Sequence, residues 1–457
     1  MSALLKLYTT LIDRRLRILE PHIWSQQFGF LTGRSTDDAN FLLLRLQEIC
    51  ASRQNFPLYI LLLDWIKCYD RIHHKPMLDA LRRFGLPEHY LTVLTSLYND
   101  LKFVVRDAWG ISSEHTQEQG IRQGDPLSCF ILLILMTVIM LDARKSFFEI
   151  CEHKGFGWMA RYMERIFGFQ DVGFADDTNF VNCHLFSLRE LVLSFLREAR
   201  YYGFFANNDP AAGKCALIAI NPEVPNPIVK DLDGRPFPVV NEAKTLGMYY
   251  GRAALTASSI FRERISLMHF AMNQYKLVWQ SPIKLRDKIL KMNALVWNKG
   301  RWSLHLFPLS ITNRRLVDSA QARFLRRIIK IPAAYYSRVS HATIRHRCSQ
   351  TLRFSTFIFR AQLRWLGHIL RKPRTDPLQR ILFEPLTNFK PVAPKSPFPN
   401  RLAKRKVGRP HLDWAQHLFQ EIYRLSRTDR ASVARIAQDR RNFQNFVERL
   451  CIMFDRT

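Results

Sequence analysis

The chain has 457 residues, of which 47% are hydrophobic, so it is long enough for about three domains and a large buried core. Its formal net charge is +29, and the whole excess lies in one half: residues 1–250 hold 27 Lys and Arg against 28 Asp and Glu, whereas residues 251–457 hold 41 against 11. Eight cysteines without a Cys-x-x-Cys pair, and a most apolar stretch of only 12 residues, Phe130–Leu141, argue against a secreted disulfide framework and against a membrane span.

The first 50 residues are predicted to form helices around a glycine-containing loop at residues 29–33. The apolar residues that these helices are expected to bury are Leu4, Leu7, Leu11, Phe41, Leu42, Leu44, Leu46 and Ile49. The next run, Leu58–Leu63, is short and wholly apolar, which predicts a buried central strand that ends at Asp64.

Helical spacing returns at residues 77–84, and Gly85 is expected to cap that helix at its C-terminus. A second helix is predicted over Tyr90–Tyr98, followed by a hairpin of Lys102–Arg106 and Ile111–Gln117. A glycine-bracketed turn at residues 120–124 then leads into a buried helix over residues 129–141, which are apolar apart from one threonine.

The segment Val172–Val181 places two adjacent acids, Asp176 and Asp177, where one apolar strand turns back into a second. A capping-box pattern, in which Glu190 follows the first residue of Ser187–Tyr201 by three positions, predicts a helix over that range. The order of strand, helices, strands, helix, acidic hairpin and helix predicts an α+β fold with a largely antiparallel sheet.

Two neighbouring buried strands would bring Asp64, Asp176 and Asp177 to one edge of this sheet. An Asp-Asp pair alone is most often a solvated turn, so the inference depends on the third carboxylate. Hard oxygen ligands in that number suit Mg²⁺, which takes the rest of its shell from water and substrate phosphates. The sequence therefore predicts a site for two Mg²⁺ ions and a phosphoryl-transfer reaction.

The C-terminal half is predicted to be helical and basic. One amphipathic helix has a charged face that would lie along a duplex, with a solvated surface as the alternative; its cations are Arg314, Arg315, Arg323, Arg326, Arg327 and Lys330. Residues 385–412 hold six prolines among many lysines and arginines, which predicts a flexible basic linker. A ribosome or a membrane surface would also attract such a charge, although we expect nucleic acid.

Four motifs in order resemble those of the reverse transcriptase of non-LTR (LINE-type) retrotransposons. Gln27–Thr36 is similar to the family's fingers motif and Asp64–Asp70 to its first catalytic motif. Arg122–Ser128 is similar to the motif that contacts template and nucleotide, and Phe174–Asp177 to the signature acidic turn. Weaker similarities follow, to the primer-grip turn and to the C-terminal region, at Lys244–Gly247, Leu363–His368 and Gly408–Pro410.

The resemblance implies a right-hand polymerase palm with partial fingers over residues 1–250 and a helical basic thumb over residues 251–384. The linker at 385–412 and a helical tail at 413–457 would follow. The implied activity is RNA-directed DNA synthesis, in which a DNA primer is extended on an RNA template from dNTPs. We expect the protein in the nucleus or the cytoplasm, with no membrane partner.

The resemblance also assigns roles to single residues. Asp64, Asp176 and Asp177 would hold the two Mg²⁺ ions. Tyr69 would stack beneath the incoming sugar and block a 2′-hydroxyl, with a core tyrosine as the alternative. The other nucleotide-binding residues implied are Arg122 at the phosphates, Gln123 and Gly124 at the base and template, and Lys214 at the leaving group.

Two departures from the family pattern stand out. Gly203 and Asn207 fit the spacing, but Lys214 comes four residues late, which a bulge over Asn208–Gly213 would explain. The family's fingers begin upstream of the point that Tyr8–Leu19 matches, and its elements carry an endonuclease. We therefore expect an N-terminally truncated copy, a gene-model fragment, or a domain that borrows those parts. The alternatives are a catalytically impaired nucleic-acid-binding remnant and a group II intron-like or telomerase-like polymerase.

Overall fold

The computed structural model describes residues 3–99, 101–209, 211, 214–251, 257–349, 352–385, 387–390, 392 and 413–456. These residues fall into two compact units, one up to residue 251 and one from residue 257 onward. Most of the predicted linker, including Gly408–Pro410, lies outside the described residues.

The first unit contains a mixed set of helices and strands. Its helices are α1 (Ala3–Leu16), α2 (Thr36–Ala51), α3 (His74–Phe84), α4 (Glu88–Tyr98), α5 (Pro126–His153), α6 (Gly157–Phe167) and α7 (Leu185–Tyr201). Its strands are β1 (Leu58–Leu63), β2 (Leu101–Phe103), β3 (Arg106–Asp107), β4 (Gly110–Ile111), β5 (His115–Gln117), β6 (Asp171–Phe174), β7 (Asp177–Asn182), β8 (Ala216–Ile220), β9 (Val239–Val240), β10 (Glu242–Thr245) and β11 (Met248–Gly251). Short 3₁₀ turns occupy Arg17–His22 and Tyr69–Arg71.

Five strands form the main sheet in the order β6-β7-β1-β8-β9, and only the pairing of β8 with β9 is parallel. The wholly apolar β1 lies at the centre, as predicted, and every one of its residues is buried. Alternate residues of a strand face opposite sides of the sheet. Tyr59, Leu61 and Leu63 accordingly share one core with α3, α5 and α7. The α+β class and the largely antiparallel sheet are confirmed.

Most of the predicted helices form where they were expected. Gly85 ends α3 with a left-handed backbone (φ +101°), the conformation that glycine adopts most readily. The predicted hairpin is split into two short ladders, β2 with β5 and β3 with β4. The apolar stretch lies within the 28-residue α5, which is long and apolar enough to cross a membrane by length and composition. However, 78% of its most apolar window is buried inside the protein, so α5 is a core helix.

Two local predictions are wrong. Leu4, Leu7 and Leu11 do not form the buried face of α1, because they are 80%, 59% and 47% exposed, while Ile12 and Leu16 are buried instead. Helical spacing predicts that a face is apolar, but it does not show which residues the rest of the fold covers.

The capping box is the second wrong prediction. Helix α7 begins at Leu185 with His184 as its N-cap, so Ser187 lies inside the first turn and does not cap it. The backbone N–H of His184 instead donates to the side-chain oxygen of Asn182 (2.9 Å). The other half of the predicted box, Glu190, forms an ion pair with Lys154 at 2.9 Å.

The described part of the second unit contains helices and no strands. Its helices are α8 (Ala257–Gln274), α9 (Lys276–Gln280), α10 (Leu285–Lys291), α11 (Asn298–Arg301), α12 (Ile311–Ile328), α13 (Ala334–Ser337), α14 (His341–Arg347), α15 (Phe354–Arg371), α16 (Pro377–Arg380), α17 (Trp414–Ser426), α18 (Arg430–Gln438) and α19 (Arg440–Arg456). A π-helical segment, Met292–Trp297, joins α10 to α11. The predicted helical, basic C-terminal half is confirmed as helical.

Candidate active site

The three predicted carboxylates meet at the end of the main sheet. Strands β1 and β7 pair antiparallel with Leu63 opposite Thr178, so one further step of the register places Asp64 opposite Asp177. Asp176 occupies the turn between β6 and β7. All three side chains are half-buried. Directly opposed positions in an antiparallel pair have Cβ atoms about 5 Å apart, so the carboxylates interact.

Burial and, to a smaller extent, this crowding raise the pKa values of Asp176 and Asp177. Burial raises the pKa of Asp177 to about 6, and the neighbouring charges of Asp176 and Asp64 add to the rise. Burial also raises the pKa of Asp176, and Asp64 again contributes. Like charges oppose ionisation of their neighbours, so this cluster carries negative charge that the protein only partly compensates.

Asp64 is held by the segment that follows α7. The side-chain amide of Asn207 donates to Asp64 Oδ2 (2.9 Å), and its backbone N–H donates to the carbonyl of Asp64 (2.8 Å). Lys214 Nζ lies 3.6 Å from the same Oδ2, while the lysine side chain remains 61% exposed. The structure therefore brings Lys214 to the acid cluster despite its late position. Residues 210, 212 and 213 of the predicted bulge lie outside the described residues.

The backbone of the acidic turn is held by hydrogen bonds from the side chain of Gln27, which is 1% exposed and acts as a clamp. Its side-chain oxygen accepts from the backbone N–H of Ala175 (2.8 Å) and of Gly29 (2.9 Å), and its amide donates to the carbonyl of Ala175 (3.0 Å). A Cβ on Gly29 would lie 2.3 Å from the nitrogen of Ala175, so glycine is needed for this approach. The loop of the fingers motif thus supports the residue that precedes Asp176.

A second clamp acts on Asp176 itself. The indole N–H of the buried Trp65 donates to the backbone carbonyl of Asp176 (3.0 Å). The clamps hold a strained conformation, because Ala175 has φ +58°, a left-handed backbone that costs a non-glycine residue about 1 kcal/mol or more. Such strain persists only where surrounding contacts over-determine the backbone, and Gln27 and Trp65 supply those contacts.

The predicted nucleotide-binding residues lie on two segments that are bonded to each other. The backbone N–H of Ile121 donates to the carbonyl of Tyr69 (2.8 Å), and the side chain of Gln123 donates to Asp70 (3.2 Å). Gly124 is exposed with φ +81°, and Gln123 is exposed beside it. Tyr69 is half-buried; burial raises the pKa of its phenol, and the charge of Asp176 adds to the rise. The ring of Tyr69 therefore lies near Asp176, and the loop is held to the turn that carries this ring.

Arg122 is placed differently from the other predicted residues. Its guanidinium donates to the carbonyl of Leu97 (3.1 Å) and lies over the ring of Tyr98 at 5.6 Å. These contacts direct the side chain toward the end of α4. In this conformation the arginine supports the loop.

Three of the contacts above escaped sequence reasoning. Sequence patterns place Gln27 only within a motif and Asn207 only by its spacing, and they give Trp65 no separate role. The signal that pointed toward Gln27 was the Gln-Phe-Gly pattern, in which the glycine permits close backbone approach. Nothing in the pattern named the partner, which is 148 residues away in sequence.

The donor set fits a divalent cation in chemistry. Carboxylate oxygens are the ligands that Mg²⁺ prefers, and a cation would stabilise the charged forms of Asp176 and Asp177, whose pKa values are raised by burial and by neighbouring charge. Among the described residues, no three acidic, His or Cys side chains already stand in a coordinating arrangement. The carboxylate of Asp64 is instead occupied by Asn207 and Lys214.

Comparison with known proteins identifies the family. The sequence profile of the reverse transcriptase (RNA-dependent DNA polymerase) family matches residues 1–248. The chain belongs to the reverse transcriptase family, which confirms the resemblance inferred from the motifs. The antiparallel sheet with its helices and acidic hairpin has the fold of a polymerase palm.

Similar proteins include Pol proteins of mobile elements. The Drosophila melanogaster Pol polyprotein of the type-2 retrotransposable element R2DM is 32% identical over 114 residues, 24% of this chain and 10% of that protein. The Nasonia vitripennis Pol polyprotein of the type-1 element R2 is 32% identical over 83 residues, which are 18% of this chain and 8% of that protein. The Xenopus laevis transposon TX1 149 kDa protein is 28% identical over 124 residues, which are 27% of this chain and 9% of that protein. The matched segments span a tenth or less of these relatives.

Among solved structures, telomerase from Candida albicans in complex with a telomeric RNA fragment has a TM-score of 0.42 at 14% identity. The match covers 72% of this chain and 55% of that one. Apo telomerase from Candida tropicalis has a TM-score of 0.37 at 14% identity and covers 82% and 54%.

We expect Gln27→Ala to destabilise the protein by about 3 kcal/mol or more, because it leaves three buried backbone groups without partners at about 1 to 3 kcal/mol each. Urea unfolding followed by circular dichroism measures the loss. Gln54, an exposed turn residue, provides the matched control, and Gln54→Ala should stay within about 0.5 kcal/mol of wild type. Equal stabilities for the two variants would contradict the clamp.

We expect Asp177→Asn to stabilise the protein near pH 7 in buffer containing EDTA. The folded-state pKa of about 6 exceeds the ordinary value of 3.8, so stability is fully present below pH 4 and is lost as the pH rises through 6. After allowance for solvent screening, the gain at pH 7.5 should be about 1 to 2 kcal/mol. The free energies of unfolding of the two proteins, measured by urea titration, should become equal near pH 4. A constant difference at all pH values would show that Asp177 does not titrate as described.

Proposed function

We propose that the acid cluster is the polymerase active site of an RNA-directed DNA polymerase from a non-LTR retrotransposon. The observation that carries the proposal is the meeting of Asp64, Asp176 and Asp177 at the ends of paired strands, inside a domain of the reverse transcriptase family. The substrates would be an RNA template, a DNA primer or target, and dNTPs. Within this scheme residues 1–250 form partial fingers and palm, and residues 251–384 the thumb. Residues 385–412 would be a linker and residues 413–457 a C-terminal tail.

Asp64, Asp176 and Asp177 would hold two Mg²⁺ ions. When bound, such a pair supplies positive charge that activates the primer 3′-hydroxyl and stabilises the pyrophosphate leaving group. The protein's contribution is to keep the three carboxylates in place before substrate arrives. Gln27 and Trp65 do so through the backbone of the turn, and Asn207 does so through Asp64. Pre-set geometry matters because misplacement of a reacting group by about 1 Å lowers the rate by about a hundredfold.

Lys214 is the proposed partner of the departing pyrophosphate. Its Nζ lies at the edge of the cluster, 3.6 Å from Asp64, on a side chain that remains largely exposed and can turn toward an incoming triphosphate. A positive charge there offsets negative charge that develops on the phosphoryl oxygens during transfer. Arg122 would not bind the phosphates directly but would support the loop through its contacts with Leu97 and Tyr98.

Tyr69, Gln123 and Gly124 would form the nucleotide pocket. The loop that carries Gln123 and Gly124 is bonded to the Tyr69–Arg71 turn, so the sugar-facing ring and the base-facing loop keep a constant separation. The exposed Gly124 has no side chain that would keep a base from its backbone. Tyr69 packs against the core on one side, which gives it a fixed position as a steric block.

We expect Asp176→Asn to lower Mg²⁺-dependent extension of a DNA primer on an RNA template by on the order of a thousandfold, because it removes a ligand charge without adding bulk. Glu149→Gln, an exposed acid on α5, is the control and should extend at the wild-type rate. A second readout is the melting temperature, which Mg²⁺ should raise in wild type and not in the Asn variant, since ligands stabilise the state that they bind. Equal extension by the wild type and Asp176→Asn would overturn the assignment.

We expect Tyr69→Ala to lower discrimination against ribonucleotides more than it lowers the rate with dNTPs. A smaller side chain leaves room for the 2′-hydroxyl, whereas Tyr69→Phe keeps the ring and loses only a long contact of its hydroxyl with Cys129 (3.9 Å). Competition between dGTP and GTP in the extension assay measures the ratio. The Phe variant should keep the wild-type ratio, and an unchanged ratio in the Ala variant would make Tyr69 a core residue.

A further inference from the structure

The helical unit contains a cavity of about 700 Å³ that the polymerase chemistry does not use. Helices α12, α14, α17 and α19 line it, so it lies wholly inside the second unit. Pockets that bind small groups have volumes of about 300 to 1,000 Å³. The cavity is therefore large enough for a nucleotide-sized ligand.

The cavity wall carries an excess of positive charge. Two carboxylates, Asp318 and Glu421, face five arginines. The five are Arg314, Arg315, Arg345, Arg353 and Arg424. A concave surface with one sign of charge focuses the electrostatic field and attracts ions of the opposite sign.

The two carboxylates neutralise only part of the cluster. Both oxygens of Asp318 accept hydrogen bonds from Ser355, at 2.9 Å from its backbone and 2.7 Å from its hydroxyl. Glu421 pairs with Arg424 on its own helix at 2.9 Å. Within the part of the chain that the structure describes, the guanidinium groups of Arg315, Arg345 and Arg353 make no hydrogen bond or ion pair.

The titration of two wall residues agrees with this excess. Burial lowers the pKa of Arg345, and the charge of Arg353 lowers it further. The pKa of Arg314 is lowered by the same two causes in the same order. An anion placed among these groups would remove the repulsion between them.

We propose that this cavity binds the phosphodiester backbone of a single-stranded segment of nucleic acid. Arginine matches phosphate because its planar donors bind two oxygens at once. The cavity lining also includes the exposed apolar side chain of Ile311, which can pack against the sugar of an unpaired nucleotide. A duplex presents its phosphates on a convex surface that cannot enter a cavity. The choice of nucleic acid as ligand rests on the proposed function; the anion site itself does not.

The test uses the full chain and a fluorescein-labelled oligouridylate of about 12 nucleotides, long enough to span the site. The double variant Arg345→Gln/Arg353→Gln should lose about tenfold or more in affinity by fluorescence anisotropy near 50 mM salt. Its slope of log affinity against log salt should fall by about 1.4, because each single-strand phosphate contact contributes about 0.7. Arg441→Gln/Arg449→Gln removes the same charge from exposed positions of α19 outside the cavity and should change affinity by about twofold at most.

A second measurement needs no variant. Arginine modification of the wild-type chain by phenylglyoxal, mapped by mass spectrometry, should be slowed at Arg345 and Arg353 by the bound oligouridylate and unchanged at Arg441 and Arg449. This result decides the question if the double variant loses its circular-dichroism spectrum. Asp176→Asn should bind the oligouridylate as wild type does, because the acid cluster lies outside this cavity. A wild-type chain that binds the oligouridylate but does not extend a primer would overturn the proposed function alone.

Three results would overturn the cavity proposal. Equal losses in the two double variants would show that only overall charge matters. Uridine monophosphate or inorganic phosphate that protects Arg345 and Arg353 as well as the oligouridylate would indicate a small-anion site. Oligoglutamate that competes equally well would indicate an acidic protein partner.

Discussion

Three carboxylates at the end of one sheet repel one another, and much of the local structure of the first unit holds them together against that repulsion. The supports come from separate parts of the chain: Gln27 from the loop before α2, Trp65 from the end of β1, and Asn207 from the segment after α7. Two of these supports act on the backbone of the acidic turn, so they fix its path without bonding to the carboxylate of Asp176.

The clustering of the carboxylates, which the proposed chemistry requires, lowers the stability of the folded protein. A half-buried Asp177 with a pKa of about 6 is destabilising at neutral pH, and the left-handed Ala175 adds backbone strain. Both costs are offset only by contacts elsewhere in the unit and, in the proposed function, by bound cations. Stabilising changes at such sites often lower activity, because the strained, charged geometry is what the chemistry requires.

In the second unit, net charge alone does not show which arginines are available to a ligand. Arg326 belongs to the same predicted charged face as Arg314 and Arg315, yet it is 5% exposed and donates to the carbonyl of Pro332 (2.7 Å) and the hydroxyl of Ser337 (2.9 Å). It therefore supports the turn after α12. The arginines of the cavity differ because several helices bring five of them together and only two acids face them.

The sequence by itself determined the α+β class, the central strand, the acidic hairpin and the family, because these depend on short-range patterns of apolar, glycine and acidic residues. It also named the three acids as neighbours, since two buried runs predict the pairing of their strands, while Lys214 came only from the resemblance to the family. Only the tertiary structure decided which face of α1 is covered, where α7 begins, and that Arg122 turns toward α4. The clamp of Gln27 on Ala175 and the arginine cavity were equally out of reach. The clamp joins residues 148 positions apart, and the cavity is lined by several helices at once. No local pattern of the sequence encodes such contacts.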